Sequence, residues 1–317
     1  MSNLNKGLAP AASAFAIWGL FPLYFHLLHE VSALQVIAQR IAWSCVFVLA
    51  WMAVRHELPV LRAVLTNRGV VLRLTATAAL ITTNWLAYVW GVLHGHVVET
   101  SLGYFIGPLV NVLLGVVLLS ERLTTPQWSA VGLAAIGVTY LTFMAGGLPW
   151  IALILAFSFA CYGLLRKVVK VESLPGLATE TLLLAPIAVG YLLWCQQAGS
   201  GAMGHHGGLI DALLIASGPL TAIPLFLFAY STRLLPYSTV GVLQYIAPTL
   251  QFLCGVLVLH EPFDRTRAIG FTLIWSALII YAVDGVRQSH KQQNAARAVA
   301  QRGGAEAPLV EVAREES

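Results

Sequence analysis

The sequence predicts an all-α integral membrane protein, with ten transmembrane helices arranged as two inverted five-helix repeats around a central cavity. Three observations predict it. Apolar residues make up 58% of the 317-residue chain and charged residues only 10%, whereas a soluble domain runs near ~45–50% and ~25%. Apolar runs of bilayer-crossing length follow one another with little between them, and mean hydropathy is +0.78. The second half of the chain also repeats the first. A chain this apolar cannot clothe its core in polar surface, which excludes a cytosolic enzyme, a secreted disulfide scaffold and a nucleic-acid-binding protein.

A helix needs ~20 mostly apolar residues to cross the hydrocarbon core. On that measure the first half holds spans at 8–28, 34–54, 70–93, 101–120 and 127–145. The second half holds 149–167, 177–196, 209–231, 237–259 and 267–285. The first span is too long for the ~7–15-residue apolar region of a secretory signal, and no small-residue cleavage site follows it. The second contains Arg40. The fourth and fifth are joined by the tight turn Glu121 to Pro126, and the seventh is interrupted by Glu180 and Pro186.

The charges test this count. With the N-terminus in the cytoplasm, 15 of the 18 basic residues fall on the inner face, leaving only Arg40, Arg265 and Arg267 elsewhere. That is the asymmetry expected of cytoplasmic loops, and a miscount by one span would scramble it. The chain therefore divides into a first five-helix unit (1–145), a second (146–286) and a mobile cytoplasmic tail (287–317). Cys45, Cys161, Cys195 and Cys254 have no metal or redox spacing and read as small apolar side chains. The Gly-rich outer segment 199–208, with His205 and His206, reads as a plain polar loop, so neither metal nor cofactor is expected.

The repeat is direct to read. SLGYFIGPLVNVLLGVVLLSE (101–121) aligns with GVLQYIAPTLQFLCGVLVLHE (241–261), and seven of 21 positions are identical, including Pro108/Pro248, Gly115/Gly255 and Glu121/Glu261. FAIWG (15–19) likewise echoes FACYG (159–163). Five is odd, so the second copy begins on the opposite side of the membrane and the copies are inverted. Inverted repeats with a pseudo-two-fold axis in the membrane plane are a transporter architecture.

Arg40 lies about seven residues into its helix, roughly 10 Å deep at ~1.5 Å per residue. An ionised group at such depth is costly unless paired or facing water. Two readings stay open: a cavity-lining grip on an anion, or a structural arginine that snorkels or caps backbone carbonyls. Its repeat counterpart is Glu180, a candidate gate residue on the opposite side. The neutral polar and aromatic candidates for substrate contact are Trp18, Asn84, Tyr88, Tyr104, Asn111, Tyr162, Tyr230, Gln244, Tyr245 and Gln251. Tyr104, Pro108 and Asn111 share one helical face, as do Gln244, Pro248 and Gln251. Pro108 and Pro248 each free a carbonyl one turn earlier and are the candidate hinges.

The chain resembles the EamA-type permeases of the drug/metabolite transporter superfamily and is most similar to its RarD-type members. The resemblance rests on AFAIWGLFPLYFHLL (14–28), the stretch Gln39 to Ser44, NWLAYVWGV (84–92) and SLGYFIGPLVNVLLG (101–115), and covers residues 7 to about 287. It implies ten helices around a central cavity, and secondary transport of small metabolites across the bacterial inner membrane.

Absent motifs narrow the reading. There is no GxxxxGK[ST], HExxH or GxSxG, so ATP drive and intramembrane hydrolysis are unsupported. Carboxylates within the spans are nearly absent, which leaves facilitated diffusion and exchange beside proton antiport. The expectation is an exporter of small organic metabolites or drugs working by alternating access, with no enzymatic activity, whose partners are a small-molecule substrate and the bilayer. The alternative is a non-transporting membrane receptor or assembly protein on the same fold.

Overall fold

The computed structural model describes residues 3–93, 97–144, 150–258 and 265–306, and all regular structure among them is helical. In chain order the elements are α1 (Asn3–Gly19), α2 (Phe21–Leu27), α3 (Ala33–Val54), α4 (Leu58–Thr66), α5 (Arg68–Leu93), α6 (Val97–Leu119) and α7 (Thr125–Met144). There follow α8 (Trp150–Val168), α9 (Ser173–Gln197), α10 (Gly208–Leu234), α11 (Tyr237–Leu243), α12 (Ile246–Leu253), a π-helical turn (Cys254–Val258) and α13 (Arg265–Glu306). Among the described residues, eight stretches are long and apolar enough to cross a membrane, the first running over α1 and α2, and Gly103–Leu119 is a shorter apolar helix. Residues such as Phe143 and Ile187 are 78% and 74% exposed. In a bundle with this composition, such outward apolar faces suit hydrocarbon rather than water.

Five elements differ from the sequence expectation. The first span breaks at Leu20, because Pro22 has no N–H to give the Trp18 carbonyl. Leu20 instead closes the last turn of α1 onto Ala16 at 3.1 Å, and Leu23 starts the next turn on Leu20. The ninth span is segmented around Tyr245 for the same reason. Pro248 cannot donate to the Gln244 carbonyl, which accepts from the Ala247 N–H at 3.1 Å. By contrast α9 runs unbroken through Glu180 and Pro186 and begins earlier than expected, at Ser173. The short helix α4 adds an element between the second and third spans, where the sequence predicts none. Finally, α13 continues to Glu306, well into the segment expected as a mobile tail.

Packing holds the elements in an order unlike their chain order. Helix α3 lies against α9 and α10, α1 against α10 and α12, α8 against α5 and α6, α11 against α6, and α7 against α13. The main core gathers Phe15, Met52, Tyr162, Leu177, Phe228 and Tyr237 from both halves. At the α3–α10 crossing, a Cβ on Gly218 would meet the Trp43 backbone and lie 2.6 Å from its Cβ. Only glycine lets these helices approach so closely.

Candidate functional site

Two segments broken by proline, before Pro22 and before Pro248, face one cavity. Its volume is about 200 Å³, and it lies between α1, α2, α3, α5 and α6 of the first half and α8, α10 and the α11–α12 junction of the second. Phe15, Trp18 and Ile81 line one part of the wall, and Tyr88 and Tyr104 another, their rings 6.1 Å apart and edge-on. Gln244, Pro248 and Gln251 come from the segmented ninth span, and Phe159 and Thr221 come from α8 and α10.

Arg40 is the only ionisable cation among the described lining residues. It is 8% exposed, and its Nε donates to Thr221 Oγ1 at 2.8 Å. Three aromatic faces surround its guanidinium, with ring centroids at 5.3 Å (Phe21), 5.6 Å (Phe25) and 5.2 Å (Trp85). Each such contact is worth ~0.5–2 kcal/mol, the upper end when water is excluded. Neither reading of Arg40 made from sequence described this aromatic cage. Phe21 and Phe25 stand one turn apart on α2, whose separate existence follows from the break before Pro22. Trp85 follows directly on Asn84 in the NWLAYVWGV stretch, and Thr221 is one of several hydroxyls in its apolar span, with Ser217, Tyr230 and Ser231.

The remaining sequence candidates divide by location. Arg40, Trp18, Asn84, Tyr88, Tyr104, Gln244 and Gln251 line the cavity, as does Pro248. Asn84 is partly committed elsewhere, donating from Nδ2 to the Leu155 carbonyl (2.8 Å) and Ser158 Oγ (3.0 Å) and so tying α5 to α8. Gln251 donates from Nε2 to the Trp18 carbonyl at 3.2 Å, taking up the acceptor that Pro22 leaves free. Asn111 lies fully buried one layer deeper, where its Nδ2 donates to Gln244 Oε1 at 2.5 Å. Gly107 allows this amide to sit close, since a Cβ there would be 2.9 Å from Gln244 Nε2.

The others lie off the cavity, each for a local reason. Tyr245 points away, toward α6 and α13, and donates to the Phe105 carbonyl at 3.2 Å. Pro108 shares a shallow apolar groove with it. Tyr230 is 38% exposed and stacks on Phe226 on the outer surface of α10. Tyr162 and Glu180 pair with each other (3.4 Å) in a separate buried cluster. There Thr77 Oγ1 donates to Glu180 Oε1 at 2.5 Å, and Arg166 Nη1 lies 3.7 Å from the same carboxylate.

A residue without a predicted role closes the far end of α6. That helix ends on Ser120 in the left-handed conformation (φ 54°), and the Glu121 N–H reaches back to the Gly115 carbonyl at 3.0 Å. The Glu121 carboxylate then accepts from the Tyr237 N–H, from the Ser238 N–H at 2.8 Å and from Ser238 Oγ at 2.7 Å. An acid from the first half thus caps the first turn of α11 in the second. Its repeat partner Glu261 lies outside the described residues.

The wall also carries the repeat. Phe15 and Phe159, Ile81 and Thr221, Trp85 and Leu225, Tyr104 and Gln244, and Gly107 and Ala247 stand at corresponding positions of the two copies, and both members of every pair line the cavity.

Among known proteins, the sequence matches the profile of the EamA-like transporter family twice, over residues 5–143 and 147–283. It is 44% identical over 291 residues to protein RarD of Streptomyces exfoliatus, covering 91% of this chain and 92% of that one. It is 42% identical over 286 residues to an uncharacterized transporter of Pseudomonas aeruginosa, covering 90% of this chain and 96% of that one. A protein known from its crystal structure, 18% identical, superposes with a TM-score of 0.70 over 88% of this chain and 98% of that one, a likeness of fold.

Proposed function

The chain belongs to the EamA-like transporter family, and from that premise we propose that it is a secondary transporter exporting small organic metabolites or drugs by alternating access. In this reading ten spans form two inverted five-helix units, 1–145 and 146–286, in the bacterial inner membrane with both termini cytoplasmic. The observation that carries it is the wall of the cavity, where five pairs of repeat-related residues meet around one volume. A site on a pseudo-two-fold axis can be opened to either side by exchanging the conformations of the two copies.

The packing supports the same reading. The contact of α1 with α12 has its counterpart in that of α8 with α6, and α1 with α10 in α8 with α5. The contacts α3–α9, α6–α11 and α7–α13 each join an element to its own repeat partner. Substrate contact in this reading falls to Arg40, Trp18, Asn84, Tyr88, Tyr104, Gln244 and Gln251. Asn111 supports Gln244 from beneath, and the segmented backbone at Pro248 is the hinge. Glu121 is the latch holding the two halves together at one end.

The test is a mass-spectrometric comparison of medium and cytoplasm from cells overproducing the wild type, cells overproducing Arg40→Ala at matched membrane level, and empty-vector cells. The expected result is a solute enriched in the medium with the wild type alone. If neither compartment differs from the empty vector in any solute, the transport reading falls and a receptor or assembly role takes its place.

A further inference from the structure

We infer that the occupant of the cavity is a small organic monoanion, a carboxylate or its equivalent on a compact apolar body, with Arg40 as its counter-ion. This rests on the transport reading for its purpose but not for its chemistry.

The first observation is an incomplete charge account. Arg40 is buried, yet among the described residues no carboxylate pairs with it, and its only hydrogen bond is the one from Nε to Thr221. A guanidinium carries five N–H donors in a planar fork. Four of them meet no acceptor among the described residues, while aromatic faces close around the group. A cation out of water is held at a cost unless something anionic meets it. The unused edge of this fork matches a planar oxyanion in two-point contact. Tyr88 and Tyr104, on the same cavity wall, add hydroxyl donors for its oxygens.

The second observation separates an anion from a zwitterion. No Asp or Glu lines the cavity among the described residues. The repeat counterpart of Arg40 is Glu180, the acid best placed by symmetry to receive an ammonium. It lies off the cavity and is already engaged by Thr77, Tyr162 and Arg166. An ammonium would therefore be desolvated without a counter-charge.

The third observation is size. About 200 Å³ holds about seven waters at ~30 Å³ each and falls below the ~300–1,000 Å³ of sites for drug-sized ligands. Apart from the Arg40 corner the wall is mostly apolar and aromatic. The body that fits is a short branched aliphatic or a single ring, so of metabolites and drugs the cavity in this conformation suits the former.

The test uses three ligands that share one body: isocaproate, its neutral isostere isocaproamide, and leucine, which is isocaproate with an ammonium added. Each is titrated at constant ionic strength into the detergent-solubilised full chain, and the melting temperature is followed. Isocaproate is expected to stabilise the wild type with an apparent affinity roughly ten- to a hundredfold above the amide, with leucine also weaker. Arg40→Gln should erase the difference between acid and amide. If that variant does not fold, the acid-to-amide ratio in the wild type decides alone.

The proposal is overturned if isocaproate gives no stabilisation, or if the amide or leucine matches it. Transport is read separately, as counterflow of isoamyl sulfonate, a permanently charged analogue, in proteoliposomes. Selective binding of the acid without counterflow refutes the transport reading and upholds the anion. Counterflow of the amide at the rate of the sulfonate refutes the anion.

Discussion

The buried pair of Arg166 and Glu180 should behave as one unit rather than as two independent side chains. Their side chains are 2% and 3% exposed, and the nearest charged atoms are 3.7 Å apart. At an effective dielectric near 20, that separation corresponds to an attraction of about 4.5 kcal/mol. Desolvation of both ions offsets most of it, so the intact pair adds little net stability, while removing one member strands the other. Arg166→Met and Glu180→Leu are each expected to cost about 3–5 kcal/mol.

The double variant strands no charge. Thr77 Oγ1 can give its single proton to the Leu74 carbonyl, 2.8 Å away, and the Tyr162 hydroxyl loses only a long contact of 3.4 Å. The remaining loss is the Arg166 Nη2 donor to the Ser173 carbonyl. The double variant should therefore cost about 1–3 kcal/mol, less than either single change. The assay is a double-mutant cycle of unfolding by SDS titration in mixed micelles, followed by circular dichroism. Single-variant losses that add to the double-variant loss within ~0.5 kcal/mol would refute the reasoning and free Glu180 to be read as a gate instead.

Two further outcomes follow from close packing and from the cap on α11. Gly218→Leu sets a side chain against the Trp43 backbone and should destabilise the bundle by at least about 2 kcal/mol, seen as a lowered melting temperature. An unchanged melting temperature would mean that α3 and α10 do not cross this closely. Glu121→Gln replaces charge-assisted acceptors of the Tyr237 and Ser238 amides with a neutral one, at a cost of about 1–3 kcal/mol. Hydrogen exchange at those two amides should speed up by at least about fivefold, and exchange at the wild-type rate would dismiss the cap.

The membrane class, most of the span positions and most of the polar side chains on the cavity wall, such as Asn84, Tyr88 and Gln251, were legible in the sequence. Composition and run length respond to the bilayer alone, and the repeat offset marks which faces correspond. Tyr104, Gln244 and Arg40 were found this way. What lay beyond reach depends on backbone direction after a break. Pro22 announces a lost hydrogen bond, but not that Phe21 and Phe25 will then sit over Arg40. In an apolar span, Tyr230 and Tyr162 look equivalent. One faces outward and the other the Glu180 cluster, because helix rotation is set by neighbours and not by a polar stripe. Glu121 reads as a loop residue, since its partners Tyr237 and Ser238 stand 116 and 117 residues away.

The bend between α1 and α2 has an author outside its own sequence. Pro22 opens the break, but the exposed Trp18 carbonyl is taken up by Gln251, and the Gly19 carbonyl lies 4.0 Å from Cys254 Sγ. Proline and amide are thus two parts of one device, set 229 residues apart in the chain. A lineage that loses Pro22 removes the reason for an amide at 251, and a chimera joining the first half of one relative to the second half of another must match both. In comparisons across relatives, the two positions should change together or not at all.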